Sequence, residues 1–249
     1  MTMTDRLVVL TGAGGGIGSA LVERLAGAGA RLVLSDRADA RFDPRAIDAA
    51  PFDLLDRAAC EAAAQRCLAR HGAPDIVISN AGFTRAETLA TTDTDAWDAE
   101  MAINLSGVRH FTAPLVAAMR RRGRGTLVFV ASVNAIGHYG NPAYSAAKAG
   151  LLAYMRAIAV EAGPDGVRAN AVCPGSVRTP AWDHRFEKWP GLAARITPLY
   201  PLRRMVEPGE VADAVLFLAS DAASGITGAV LPVDAGLTAG NPAFVDAIS

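Results

Sequence analysis

The sequence predicts an α/β fold with one parallel sheet covered by helices on both faces, and three observations carry that expectation. Short runs that are apolar at consecutive positions alternate with longer Ala- and Leu-rich stretches along the 249 residues. Runs of this kind suit parallel strands, which are buried on both faces. The first run leads straight into a cluster of glycines, and no Ser/Pro-rich run, long charge block or internal repeat divides the chain. A length of about 250 residues fits a single undivided α/β domain, so residues 1–249 are expected to form one.

Taken in order, the elements justify themselves by composition. Leu7–Leu10 (LVVL) reads as the first strand, with a helix over Ile17–Ala28 after the glycines. Arg31–Leu34 is the second strand, and Asp56–Arg70 a helix. Asp75–Ser79 is the third, followed by a long helical stretch over Asp93–Arg122. Thr126–Ala131 and Val167–Val172 are strands flanking a helix over Pro142–Ala162. A helix over Pro208–Ala219, a last strand Ala229–Val233 and a polar tail complete the chain. Strand–helix alternation implies right-handed crossovers, a doubly wound sheet, and a ligand beyond the carboxyl ends of the strands.

Composition narrows the class. With 24 Lys+Arg against 25 Asp+Glu the chain lacks the basic excess that neutralises nucleic-acid phosphates. Its 51% hydrophobic content excludes a disordered chain. The opening MTMTDRLVVLTG has no basic n-region, and no apolar stretch approaches the ~18 residues of a membrane span. Cys60, Cys67 and Cys173 form no C-x-x-C pair, and His71, His110, His138 and His184 no metal-ligand spacing. The expectation is a soluble, cytoplasmic, metal-free protein that binds neither nucleic acid nor membrane.

The glycines carry the first functional signal. Thr11-Gly12-Ala13-Gly14-Gly15-Gly16-Ile17-Gly18 lies between a strand and a helix start, where free backbone N–H groups and the helix dipole hold a diphosphate. The spacing is T-G-x-x-x-G-x-G; the G-x-G-x-x-G template would place its last glycine on Ile17. Asp36 follows the second strand, where a dinucleotide fold keeps the acid that accepts from the adenosine ribose.

Tyr144 and Lys148 stand four residues apart, hence on one helical face, and Ser132 follows the strand Thr126–Ala131. With these motifs in place the chain resembles the short-chain dehydrogenase/reductases over nearly its whole length. The family's glycine motif stands at Thr11–Gly18, its N-A-G at Asn80-Ala81-Gly82 and its helix asparagine at Asn104. Its serine stands at Ser132, Y-x-x-x-K at Tyr144 to Lys148, and P-G with a following Thr at Pro174-Gly175 and Thr179. The closing Asp234-Ala235-Gly236 departs from the usual D-G-G at its middle position.

The resemblance implies a Rossmann-type fold, NAD as cofactor, a small alcohol or ketone as substrate, and a homotetramer. It implies catalysis by Asn104, Ser132, Tyr144 and Lys148. For the dinucleotide it implies Gly12, Gly16, Ile17, Gly18 and Asp36, with Asp53 and Leu54 beside the adenine and Asn80, Ala81 and Gly82 along the adenosine ribose. Tyr144 and Lys148 are implied at the nicotinamide ribose, and Pro174, Gly175, Val177 and Thr179 near the carboxamide. The segment 178–207 is implied as a substrate lid.

The chemistry suits these residue types. A free phenol has a pKa of ~10 and needs ~4 kcal/mol of differential stabilisation to act as a base at neutral pH. A neighbouring ammonium and the positive ring of an oxidised nicotinamide both favour the phenolate. Ser132 would hold the substrate oxygen, and Asn104, by resemblance, a water behind Lys148. The expected activity is NAD-dependent hydride transfer between a secondary alcohol (a sugar, polyol or cyclic alcohol) and its ketone. The alternatives are an NADPH-dependent 3-oxoacyl reductase and a non-catalytic nucleotide-binding regulator.

Other features admit plainer readings. Arg120-Arg121-Arg122-Gly123-Arg124 either meets a phosphate-bearing substrate or offsets a helix dipole. Trp182, His184, Phe186 and Trp189 form either a mobile lid or a fixed cap, and Asn134 and His138 face either substrate or solvent. Arg37 either lies over the adenine or in solvent, or swings toward a 2′-phosphate.

Overall fold

The computed structural model describes residues 2–85 and 88–248. Among the described residues the strands form one seven-stranded sheet in the order β3-β2-β1-β4-β5-β6-β7. The strands are β1 (Leu7–Thr11), β2 (Arg31–Ser35), β3 (Asp48–Ala49), β4 (Ile76–Ser79), β5 (Gly125–Val130), β6 (Val167–Pro174) and β7 (Val230–Val233). Every adjacent pair is parallel. The order reverses direction between β1 and β4, which opens a crevice at the carboxyl ends of those two strands.

Because successive side chains point to opposite faces, each strand feeds two cores. Val8, Leu10, Leu32, Leu34, Ile78 and Val130 pack with Leu21 and Leu25 of α1 (Gly16–Gly27) and Val211 and Val215 of α8 (Pro208–Ala219). On the other face Val9, Val33, Val77, Leu127 and Phe129 meet α2 (Arg57–His71), α4 (Gly107–Arg122) and α5 (Pro142–Glu161). Phe111, Leu115, Met119, Leu151 and Met155 come from those helices. Each such side chain contributes about 2–3 kcal/mol of transfer free energy when fully buried.

Polar residues punctuate the helices. Asp56 caps α2 by accepting from the Ala59 N–H at 3.0 Å, and Gly123 ends α4 in the left-handed region at φ 76°. Glu210 in the first turn of α8 accepts from the Glu207 N–H at 2.8 Å. Among the described residues no helix is long and apolar enough to cross a membrane.

The structure corrects the expected pattern in three places. The stretch Asp93–Arg122 is not one α-helix: α3 (Thr94–Met101) passes through a π-turn over Ala102–Ser106 into α4. The extra residue in that turn sets Asn104 inward, fully buried. Such π-turns gather at functional sites. Second, β3 is a two-residue edge strand, too short to show as an apolar run. Third, the polar tail carries a short helix, α9 (Pro242–Ile248), with Phe244, Val245 and Ile248 exposed. Two further helices, α6 (Pro180–Lys188) and α7 (Leu192–Ile196), lie in the segment before α8.

The alanine that replaces the usual middle glycine after β7 has a physical consequence. Ala235 sits at φ 52°, in the left-handed region. A side chain there costs roughly 1–2 kcal/mol, against about 0.5–1 kcal/mol of entropy that glycine loses on folding. Ala235→Gly is therefore expected to stabilise the protein by about 0.5–1 kcal/mol, or ~2 °C in Tm by calorimetry. A fall in Tm would show that packing of the Ala235 methyl outweighs the strain.

Candidate active site

The glycine loop is shaped by close approaches that only glycine allows. Gly12 lies at φ 69°, and a Cβ there would stand 2.8 Å from the Ala81 backbone. A Cβ on Gly18 would collide with the Gly12 carbonyl oxygen, so β1, the loop and α1 close on one another. The loop is tied to β4 by Asn80, whose Nδ2 donates to the Thr11 and Gly12 carbonyls at 3.2 and 3.0 Å. Thr11 Oγ1 accepts from the Asn80 and Ala81 N–H groups, both at 3.1 Å. The Asn80 side chain thus holds the loop.

At the far end of the crevice Asp36 directs its carboxylate at the loop. Its two oxygens accept from the Gly14 and Arg37 N–H groups, each at 2.8 Å. The Arg37 guanidinium turns away and pairs with Asp39 at 3.2 Å, both side chains being exposed. Asp53 is exposed at the start of the turn into α2, accepting from the Leu55 N–H at 2.9 Å. Leu54 is half-buried with its carbonyl against Gly107.

The residues after β6 close the opposite wall. Pro174 is buried, and a Cβ on Gly175 would stand 3.1 Å from the Cα of Asp234. Asp234 itself anchors the chain by accepting from the Gly236 and Thr238 N–H groups at 2.9 and 2.8 Å. Thr179 packs over the loop so closely that a Cβ on Gly16 would meet its Cγ2 at 2.7 Å. Val177 is buried and bridges Val206, and the Arg178 N–H donates to the Val206 carbonyl at 2.8 Å. That bridge is the neck of the excursion 178–206. Within it Trp182 and Phe186 lie half-buried on one side of α6, 5.7 Å between ring centroids, while His184 is exposed.

Between these walls stand four side chains from three different segments. Ser132 follows β5, Tyr144 and Lys148 lie in the first turns of α5, and Asn104 in the π-turn. Ser132 lies near enough to Tyr144 to favour its phenolate. The Lys148 ammonium is 2% exposed, donates to the Val130 carbonyl at 3.1 Å and lies 5.6 Å from the Tyr144 ring centroid. A Cβ on Gly82 would stand 2.9 Å from Asn104 Oδ1 and 3.2 Å from Lys148 Nζ, so both atoms converge on the space beside that glycine.

Burial dominates the electrostatics here. Desolvation pushes the Tyr144 hydroxyl up to about 12, only partly countered by Ser132. It also pushes the Lys148 ammonium down to about 8. In this structure the lysine does not make Tyr144 acidic. Cys173 on β6, beside the pair, has a thiol that burial holds up at about 11.

Two neighbours were less visible from sequence. Asn134 donates its backbone N–H to Ser132 Oγ at 3.2 Å and accepts from that hydroxyl at 3.3 Å through Oδ1. Its Nδ2 donates to the Gly140 carbonyl at 2.8 Å and to Ser145 Oγ at 3.0 Å, so it braces the serine while His138 is exposed. Glu100 is 4% exposed and touches Asn104; the signal in sequence was a carboxylate one helical turn before that asparagine.

The arginine run has a structural use. Arg120 pairs with Asp165 at 2.6 Å, and Arg122 donates to the Ala73 and Pro74 carbonyls at 2.6 and 2.8 Å. Arg122 and Arg124, with Arg6 and Arg168, border a cavity of about 450 Å³ at the amino ends of the strands, on the opposite edge of the sheet from the four convergent side chains.

The loop passes a direct test of fit for a dinucleotide. α1 begins at Gly16 with no side chain bonded to its N-terminus among the described residues, which leaves its first N–H groups for an anion. The Asp36 carboxylate stands at one end of the crevice and the Tyr144–Lys148 pair at the other. Fold and crevice together define a dinucleotide-binding oxidoreductase.

Comparison with known proteins agrees. The model of a family described as enoyl-(acyl carrier protein) reductase matches residues 12–238. A cis-4-hydroxycyclohexanecarboxylate dehydrogenase of Sinomonas cyclohexanicum is 37% identical over 246 residues, covering 94% of this chain and 97% of its own. A 3-oxoacyl-(acyl-carrier-protein) reductase of Thermotoga maritima is 34% identical over 251 residues, covering 95% and 99%. A solved oxidoreductase of the short-chain dehydrogenase/reductase family from Burkholderia thailandensis superposes with a TM-score of 0.87 at 41% identity, covering 98% of this chain and 97% of the other. The chain belongs to the short-chain dehydrogenase/reductase family.

Proposed function

We propose that this protein uses NAD to move a hydride between a secondary alcohol, of the sugar, polyol or cyclic class, and its ketone. The observation that carries the reading is the convergence of Ser132, Tyr144, Lys148 and Asn104 at the end of the crevice that the glycine loop opens. Bound NAD supplies the hydride acceptor and, when oxidised, a positive ring beside the phenol. Ser132, braced by Asn134, donates to the substrate oxygen and stabilises the charge that develops there. Tyr144 holds the hydroxyl proton, giving it to a ketone oxygen or taking it from an alcohol. Lys148 binds the nicotinamide ribose hydroxyls and, with Asn104, refills the proton through the space beside Gly82.

Asp36 supports NAD over NADP, since its carboxylate accepts from a ribose diol but repels a 2′-phosphate. The same reading places Gly12, Gly16, Ile17 and Gly18 at the diphosphate, Asp53 and Leu54 at the adenine, and the Asn80–Gly82 backbone along the adenosine ribose. Pro174, Gly175, Val177 and Thr179 line the carboxamide end. The excursion 178–206, clamped at its neck, covers the substrate with Trp182 and Phe186 on its inner side.

A screen of secondary alcohols, sugars and cyclic polyols with NAD, read by reduced-nicotinamide absorbance, tests the reading. Turnover of a secondary alcohol is expected. Reduction of 3-oxoacyl thioesters with NADPH alone would favour the second reading, to which the Thermotoga maritima relative lends weight.

Assembly belongs to the same proposal. Val160 on α5 is 76% exposed, and α5 and α8 carry more apolar surface than one covered face requires. A homotetramer with paired helices about two-fold axes is expected by light scattering at micromolar concentration. A strictly monomeric mass would contradict it.

A further inference from the structure

We propose that the buried carboxylate of Glu100 is a positioning residue for proton transfer: it fixes the Asn104 carboxamide with its oxygen toward Lys148 and sets a negative charge behind the Lys148 ammonium. The inference rests on the roles given above to Tyr144, Lys148 and Asn104, and deepens them.

The hydrogen bonds leave the amide one orientation. Asn104 Nδ2 donates to Glu100 Oε2 at 2.7 Å, to the Phe83 carbonyl at 2.8 Å and to the Glu100 carbonyl at 3.1 Å. Asn104 Oδ1 faces the other way, accepting from the Phe83 N–H at 3.3 Å and lying beside the same Gly82 position as Lys148 Nζ. A flipped amide would set its NH₂ against an N–H donor and its oxygen against acceptors.

Glu100 is held as firmly. Its other oxygen, Oε1, accepts from the Arg85 N–H at 2.8 Å, so one carboxylate joins α3, the π-turn and the segment after β4. Only a carboxylate accepts on both oxygens; a glutamine would turn an NH₂ toward one of these two donors. Burying a carboxylate is costly unless it is fully bonded, and an apolar side chain would pack at this position without that cost. What the acid adds is the orientation of Asn104, whose oxygen lies beside Lys148, and a buried negative charge next to that amide.

The charge acts in a definite direction. Among the described residues, the titratable groups whose charge acts on the Tyr144–Lys148 pair are Glu100 from α3 and Cys173 from β6. Glu100 favours the protonated form of both members, opposing the burial that pushes Lys148 down to about 8. Removing its charge while keeping its shape must therefore lower the pH at which Lys148 loses its proton.

The composition makes this measurable without substrate, because the chain has two lysines, Lys148 and Lys188. The full chain labelled with ¹³Cε-lysine gives two resonances, which Lys188→Arg assigns. In Glu100→Gln the Lys148 midpoint is expected at lower pH than in the wild type, with Lys188 unmoved. The Asn104 carboxamide protons are expected to exchange about tenfold faster on losing a charge-assisted bond of ~1.4 kcal/mol or more. A purely structural role would leave the midpoint in place, so an unmoved Lys148 resonance overturns the proposal. Should Glu100→Gln fail to fold, the wild type decides: fast exchange of the Asn104 carboxamide overturns the proposal, and slow exchange supports it. Turnover retained in Tyr144→Phe would instead sink the catalytic reading and leave the Lys148 titration standing, so the two failures are separable.

Discussion

Tyr144→Phe is expected to lose about 10²- to 10⁴-fold in kcat, the range that a positioned general acid or base supplies, while binding NAD as the wild type does. The phenyl ring keeps the packing of α5 against the crevice, and the substitution removes only the hydroxyl. Lys148 keeps its bond to the Val130 carbonyl, so its ammonium is expected to stay in place. The pH dependence carries a sign. With the phenol held up at about 12, Tyr144 is neutral near pH 7 and stands ready as an acid for ketone reduction. Alcohol oxidation needs the phenolate, whose fraction climbs about tenfold per pH unit below that value. Oxidation is thus expected to rise across neutral pH while reduction stays flat, as steady-state kinetics in both directions would show. Substantial kcat in the phenylalanine variant with normal cofactor affinity would mean that another group carries the proton.

Asp36→Ala is expected to shrink the preference for NAD over NADP by about ten- to thirtyfold. A 2′-phosphate charge ~4 Å from the carboxylate costs up to ~4 kcal/mol at an effective dielectric of ~20. The site is open to solvent, so one or two kcal/mol of that surviving gives the stated range. The variant also removes the acceptor that ties Gly14 to β2, which lowers kcat/KM for NAD itself. Arg37 adds to the change, because its pair with Asp39 is exposed and weak and leaves the guanidinium free to meet a phosphate. The measurement is kcat/KM for both cofactors in both proteins. A wild type that favours NADP, or an unchanged ratio in the variant, would show that Asp36 is not the selector.

How much of this could be read from sequence depends on whether the signal is local. The parallel sheet was legible because Leu7–Thr11, Ile76–Ser79 and Gly125–Val130 are buried on both faces and apolar at consecutive positions. The glycine loop and the Tyr144–Lys148 spacing are likewise local. What escaped depends on neighbours distant in the chain. Glu100 reads as an ordinary helix position until the π-turn sets Asn104 inward and brings its amide onto that carboxylate. Spacing shows the ammonium near Tyr144 but not the burial that pushes its hydroxyl up. That the Asn80 amide ties down the glycine loop is visible only once β1 and β4 lie side by side.

The most direct test of the account follows the hydride itself. A secondary alcohol found active in the screen, deuterated at its carbinol carbon, is incubated with NAD and the protein, and the reduced cofactor is examined by mass spectrometry. One deuterium per reduced nicotinamide in the wild type, with none formed by Tyr144→Phe on the same timescale, is the predicted result. Reduced cofactor without the label, or equal labelling by the phenylalanine variant, would contradict the assignment of hydride transfer with Tyr144 as the proton carrier.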